Sequence, residues 1–327
     1  MEFYTQISMP KGIPLLSYKE QIVLLGSCFA ENIGRKLEES RFRTDMNPFG
    51  TLYNPASIAV AIRMLLHPER FEDCDLFLHE GVYHSFYHHS RFSSPQAVEC
   101  LNSINQRLFS SSQIIREAKH LIVTLGTAYV YRLKATRQIV SNCHKLPEKM
   151  FKREMLSVQE ITEDWKNVLL ALWEQNPDLK IIFTVSPIRH WKDGAHANQL
   201  SKATLLLAVD CLQKEYPEQI SYFPAYEIMM DELRDYRFYA DDMLHPSVQA
   251  VDYIWERFRE TLFSKEAQAI FKEWNEIQKA LNHKPFQPQS EGYKRFISQT
   301  LLKMERLNDK FPYFDITNDI ETIRKKS

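Results

Sequence analysis

Ile22-Val-Leu-Leu-Gly-Ser-Cys-Phe-Ala30 is the stretch on which the fold turns. Ile22 to Leu25 form a short apolar run of buried-strand type, and the run stops at Gly26. From Phe29 onward, Ile33 and Leu37 with Lys36, Glu38 and Glu39 have the spacing of an amphipathic helix. Strand, tight turn and helix in that order open an α/β unit. Ser27 and Cys28 stand in the turn, at the start of the helix. There the positive end of the helix dipole favours a developing anion and lowers the pKa of a thiol. The competing reading is a buried cysteine beside a helix cap.

Working outward, the same pattern recurs. Leu121-Ile-Val-Thr-Leu125 is a second buried-type strand and ends at Gly126; Lys180 to Val185 is a third and ends at Ser186-Pro187. Ile220 to Phe223 is a fourth. Helices are expected over about 56–66, 94–118, 157–174 and 199–216, the third opened by the capping box Ser157-x-x-Glu160. Strands alternating with helices imply a three-layer α/β/α sandwich around a mostly parallel sheet. Two β-hairpins are expected, at 76–92 around His79-Glu-Gly81 and at 129–141. After Pro246 only helical patterns remain: the stripe Val248, Val251, Ile254, Trp255, Phe258 and Leu262, then 265–282 and 290–308. The chain thus divides into an α/β domain over 1–263 and a helical C-terminal extension over 264–327.

Composition narrows the function. The 327 residues include 8 glycines, where an average chain of this length carries roughly 23. Neither G-x-G-x-x-G nor G-x-x-x-x-G-K-S/T occurs, which removes the two commonest phosphate-cradling loops. Apolar residues make up 44% and charged residues 25%, with a net charge of −1. Nothing calls for a nucleic-acid or anionic-membrane partner. The 5 cysteines are odd in number, scattered and never C-x-x-C, so reduced thiols are expected. No basic-then-apolar leader opens the sequence and no apolar run approaches 18 residues. The expectation is a cytoplasmic protein without membrane insertion.

In open α/β sheets, ligands bind beyond the carboxyl ends of the strands. A nucleophile at Cys28 or Ser27 needs a base, and the base an orienting group. Asp242-Met-Leu-His245-Pro246 supplies both on one bend. The spacing recurs in Asp193-Gly-Ala-His196, also after a strand; position at the start of the last helix of the α/β region favours Asp242 and His245. His79, His84, His88 and His89 crowd one segment, but no carboxylate or thiol accompanies them at a metal spacing, so no metal is expected. Adjacent Cys143 and His144 would point to opposite faces of a strand. Arg189, His190 and Lys192 follow the third strand and either bind an anionic acid or sugar group or form a solvated loop. Tyr236, Phe238 and Tyr239 read as packing.

Gly26-Ser-Cys-Phe-Ala30 together with Asp242-x-x-His245-Pro246 resembles the GSCFA-domain family, a group similar to the SGNH/GDSL-type esterases and acylhydrolases. The resemblance spans about 20–260 and includes Asn47-Pro-Phe-Gly50, Thr124-Leu-Gly-Thr127, Asn142-Cys-His-Lys145, Ser186-Pro187 with Arg189-His190, and Arg237-Phe-Tyr239. It implies an SGNH-like fold and a Cys/Ser–His–Asp hydrolase that needs no cofactor. The substrate would be a small-molecule or carbohydrate-linked acyl ester. Cys28 stands where the nucleophilic serine belongs; a slip of one residue makes Ser27 the nucleophile. Gly50 resembles the oxyanion glycine of the second block, and Asp242 and His245 meet the last block in full. The third block, Gly-x-Asn, departs: Gly126-Thr127-Ala128 ends in alanine. A missing oxyanion donor costs about 3–4 kcal/mol of transition-state stabilisation. Asn47, Asn54, Asn142 and His144 are candidate replacements. The same residues would serve an acyltransferase with an alcohol acceptor, and the departure leaves room for a non-catalytic binding protein.

Overall fold

The computed structural model describes residues 4–283, 286–287 and 289–324. β1 (Gln21–Gly26) runs through Ser27 into α1 (Cys28–Glu39), followed by β2 (Arg43–Met46) and α2 (Pro55–Leu66). A hairpin of β3 (Phe77–His79) and β4 (Val82–His84) precedes α3 (Ala97–Glu117). Next come β5 (His120–Leu125), β6 (Tyr129–Leu133), β7 (Ile139–Val140), β8 (Phe151–Met155) and α4 (Val158–Gln175). β9 (Lys180–Val185), α5 (Gly194–Glu215), β10 (Ile220–Tyr222) and the single turn α6 (Ala225–Glu227) complete the α/β part. The remainder is helical: α7 (Val248–Leu262), α8 (Lys265–Leu281), α9 (Glu291–Lys310) and α10 (Thr317–Arg324).

The central sheet has five parallel strands in the order β2-β1-β5-β9-β10. β1 and β5 are buried on both faces, which is why they read as continuous apolar runs. Alternate side chains feed different layers. Val23 and Leu25 join α2 to α5 in one core, whereas Ile22 and Leu24 join α1, α7 and the C-terminal helices in the other. This is the three-layer α/β/α sandwich. Numbered within the sheet, the strand order is 2-1-3-4-5, a doubly wound arrangement that reverses between β1 and β5. The chain leaves these two neighbours toward opposite faces, so a crevice opens at their carboxyl ends.

β1 can lie this close to β5 because it ends in glycine. Gly26 has φ +143°, and a Cβ there would sit 2.2 Å from the Thr124 carbonyl oxygen. β2 and β8 were not expected from sequence. β2 is an edge strand whose buried Asp45 pairs with Arg107 of α3. β8 completes a second antiparallel sheet, β7-β6-β8, where only one hairpin was expected. The C-terminal helices do not stand apart. Ile270 and Trp274 of α8, Met304 of α9 and Ile320 of α10 share one apolar core with Phe29 and Ile33 of α1. Trp274 Nε1 and Gln278 Nε2 donate to the Glu39 carbonyl at 3.1 and 2.7 Å, satisfying an orphan acceptor at the end of α1. Among the described residues no helix is long and apolar enough to cross a membrane.

Candidate active site

At the β1–β5 switch point lies a cavity of about 780 Å³. Cys28, Tyr53, Asn142, Arg189, His190 and His245 are among the residues that line it. Cys28 is the first residue of α1, so the turn after β1 presents its thiol to the cavity. Ser27 is instead the N-cap: it is fully buried, its Oγ accepts from the Phe29 amide at 3.3 Å, and it does not line the cavity. The sequence placed Cys28 where a helix terminus should lower its pKa. The structure reverses the sign, because burial pushes the thiol up. The amides at the helix start and the neighbouring Tyr53 hydroxyl pull the other way and lose. The resting group is a neutral thiol in need of a base.

Asp242 and His245 form a tight pair. Asp242 Oδ2 meets His245 Nδ1 at 2.5 Å, and Oδ1 accepts from the amides of Leu244 and His245, both at 2.9 Å. Those amides, with the imidazole, hold the Asp242 carboxyl well below its usual range, at about 2. The turn between them needs a left-handed residue, Met243 with φ 57°. Arg189 pins it: the guanidinium donates to the Met243 carbonyl, and the Arg189 amide donates to the Leu244 carbonyl at 3.2 Å. The same guanidinium lies over the rings of Trp191 and Tyr239 at 4.9 and 4.8 Å. Arg189, expected either to bind an anionic group or to sit in a solvated loop, instead supports the turn that carries His245. Among the described residues no hydrogen bond joins Cys28 to His245; such contacts are often long before substrate binds.

The residues expected to receive an oxyanion are arranged otherwise. The Gly50 amide donates to Asn47 O at 2.8 Å, and Gly50 does not line the cavity. Asn47 is fully buried, with its Oδ1 holding the Gly26 amide at 2.9 Å. The amides of Gly126 and Thr127 both donate to the Tyr53 carbonyl, at 2.8 and 2.9 Å, and the Ala128 amide to Ser201 Oγ at 2.8 Å. His144 is buried behind the cavity wall with Nε2 on Ser85 O at 2.8 Å. Asn142 and Asn54 do line the cavity; Asn142 Oδ1 takes the His144 amide, and Asn54 caps α2. Asp193 forks onto Arg153 while His196 is exposed on α5, so the second Asp-x-x-His pair does not form a dyad. Among the described residues no three His, Cys, Asp or Glu side chains gather as a metal ion would require.

His190 lines the cavity with its Nε2 buried and without a partner. Burial first, then the charges of Lys202 and Arg153, lower its pKa to about 3, so the ring is neutral. It packs on Gly126, where a Cβ would lie 2.9 Å from Nε2 and 2.9 Å from the Tyr53 carbonyl. Two functional groups escaped the sequence reading. Tyr53 lines the cavity with Cys28, and its phenol is pushed up to about 12, mainly by burial and then by the neighbouring thiol. Lys202 is wholly buried beneath the site, and desolvation lowers it to about 7.

The chain is similar in fold to a Clostridium thermocellum family 3 carbohydrate esterase, at 10% identity and a TM-score of 0.35, over 74% of this chain and 94% of that one. A Clostridium thermocellum family two carbohydrate esterase, solved in complex with cellohexaose, matches at 11% identity and a TM-score of 0.36, over 77% of this chain and 64% of that one. An acetyl xylan esterase from the rumen bacterium Butyrivibrio proteoclasticus matches at 11% and 0.36, over 75% and 65%. No curated protein matches the chain. Residues 21–258 match the GSCFA family, and residues 274–327 match the C-terminal domain of GSCFA domain proteins. With its motif on the β1–α1 turn and most of its length covered, the chain belongs to the GSCFA family.

Proposed function

We propose that the protein is an acyl-ester hydrolase with Cys28 as nucleophile, His245 as general base and Asp242 as the group that fixes the imidazole. The observation that carries this reading is the Asp242–His245 pair at 2.5 Å, with His245 and Cys28 lining one cavity at the switch point. With Nδ1 hydrogen-bonded to the carboxylate, Nε2 is the nitrogen free to take the thiol proton. As it does so, Sγ forms a bond to the acyl carbon and the carbonyl electron pair moves to oxygen. Collapse breaks the ester C–O bond, and the leaving alcohol takes the proton from His245. Water, activated by the same imidazole, then releases the acid from the thioester and restores the thiol. A neutral resting thiol suits this sequence, since the proton leaves only as the bond forms.

At about 780 Å³ the cavity falls in the usual range for ligand sites, larger than a short acyl group requires. That volume supports a substrate whose alcohol portion is also enclosed, such as a carbohydrate. It also supports a second reading, acyl transfer to an alcohol acceptor by the same three residues.

Hydrolysis of short-chain nitrophenyl esters tests the proposal. Cys28→Ala and His245→Ala should fall to the uncatalysed rate, while Ser27→Ala should retain turnover. Equal rates from wild type and all three variants would remove the esterase reading and leave a binding protein on this fold. Added alcohol acceptor separates hydrolysis from transfer through the product formed.

A further inference from the structure

The donors that ordinarily receive an oxyanion are engaged elsewhere. The Gly50, Gly126, Thr127 and Ala128 amides all donate within the protein, and the third-block Asn is absent. Beside the thiol stand the Cys28 amide, at the first position of α1, and the phenol of Tyr53, a side chain that lines the same cavity and favours the thiolate. We infer that Tyr53 O–H is the side-chain oxyanion donor, in the place of the missing third-block Asn, so that Tyr53 is a catalytic residue. This inference rests on the proposed Cys28 chemistry.

The position of Tyr53 is fixed from every side. The preceding residue, Leu52, donates its amide to Gly26 O at 2.9 Å, at the end of the strand that carries the nucleophile. The Tyr53 carbonyl receives two amides from the end of β5. The following residue, Asn54, caps α2 by accepting from the Ser57 amide at 2.8 Å, and Pro55 starts that helix. The ring stands edge-on to His190, with centroids 5.7 Å apart. A donor held this firmly costs no reorganisation as charge develops.

Geometry makes the phenol follow the charge. An oxygen on the carbon bonded to Sγ lies within one hydrogen-bond length of that sulfur. A hydroxyl that faces the same cavity as the thiol can therefore turn onto the oxyanion by rotation of its side chain. In the resting state it meets a neutral thiol, a weak partner; in the tetrahedral state it meets a full negative charge. The interaction strengthens along the reaction, which is the condition for lowering a barrier. Tyr53 keeps its proton throughout, because burial holds the phenol above any working pH. Proton traffic stays between Cys28, the leaving group and His245.

The test compares wild type with Tyr53→Phe, which deletes the hydroxyl and keeps the ring and main chain. On nitrophenyl esters kcat should fall about 10²–10³-fold, with KM nearly unchanged. A second measurement needs no ester: an aliphatic aldehyde adds to Cys28 as a hemithioacetal, whose oxygen occupies the oxyanion position. Its affinity, read as protection of Cys28 from alkylation, should fall at least 10-fold in Tyr53→Phe. Without aldehyde, the pH midpoint of Cys28 alkylation should rise, since a hydroxyl favouring the thiolate is gone. Thermal melting within a few degrees of wild type establishes that the variant folds. Ester turnover unchanged in Cys28→Ala would overturn Cys28 as nucleophile, and the aldehyde result would still decide the donor. Equal aldehyde protection in both proteins would overturn the role of Tyr53.

Discussion

Lys202 Nζ donates to the Gly126 carbonyl at 2.7 Å from a position without access to solvent. The same ammonium donates to the Ser186 carbonyl at 2.7 Å. One side chain of α5 thus clamps the carboxyl ends of β5 and β9 directly under the cavity, with two neutral acceptors and no carboxylate. That arrangement makes proton loss easy, and Lys202 sits at about 7 for want of solvation.

Replacing Lys202 with Met keeps much of the volume but leaves both carbonyls without a partner. Each orphan acceptor costs about 1–3 kcal/mol, so urea unfolding should show a loss of about 2–6 kcal/mol. The sign of the pH dependence follows from linkage. Between the folded value of about 7 and the ordinary lysine range, the unfolded chain binds more protons, so the wild-type contribution of Lys202 rises with pH. The stability gap between wild type and Lys202→Met should widen from pH 7 to pH 9; a narrowing gap contradicts the assignment.

Gly126→Ala should damage the site from below. The new Cβ would meet His190 Nε2 and the Tyr53 carbonyl, each at 2.9 Å, and the carbonyl is backbone that cannot swing aside. Overpacking of this kind costs about 1–3 kcal/mol. Differential scanning calorimetry should show the drop, and ester turnover should fall with it, because Tyr53 is displaced.

Asp242→Asn should lower kcat about 10³–10⁴-fold while leaving the fold intact, since the amide no longer enforces the imidazole tautomer. The carboxyl of Asp242, held at about 2, stays ionised across the working range. Its contribution is present above the ordinary aspartate value and lost only as pH falls toward 2. A pH–rate profile of wild type should therefore contain no step from Asp242 above pH 4. A step there that vanishes in Asp242→Asn would contradict the dyad.

Ser27→Ala removes an N-cap and should cost about 1 kcal/mol in denaturant titration. Esterase turnover should remain within a few-fold of wild type. Complete loss of turnover in a folded variant would transfer the nucleophile from Cys28 to Ser27.

The sheet was legible where burial is two-sided. Ile22 to Leu25, Leu121 to Leu125 and Lys180 to Val185 carry their apolar runs because helices cover both faces. β2 escaped because Arg43-Thr-Asp-Met46 pairs along one edge only and buries an aspartate, which no apolar pattern announces. β8 escaped because Lys152, Arg153 and Glu154 meet ionic partners rather than a core. In the candidate site, Cys28, Asp242 and His245 carry recognisable spacing. The environment of the thiol does not, since a helix terminus and desolvation oppose each other and only packing decides between them. Lys202 was invisible for a simpler reason: in a helix with polar neighbours, a lysine reads as solvated.

α1 is held at both ends. Its first residue offers the thiol to the cavity, and its last carbonyl is gripped by Trp274 and Gln278 of α8. A 12-residue helix is a stiff rod of about 18 Å. Any tilt imposed at Glu39 therefore reappears at Cys28 as a change in aim. The C-terminal helices, which do not line the cleft, act as the fixture that sets where Cys28 points.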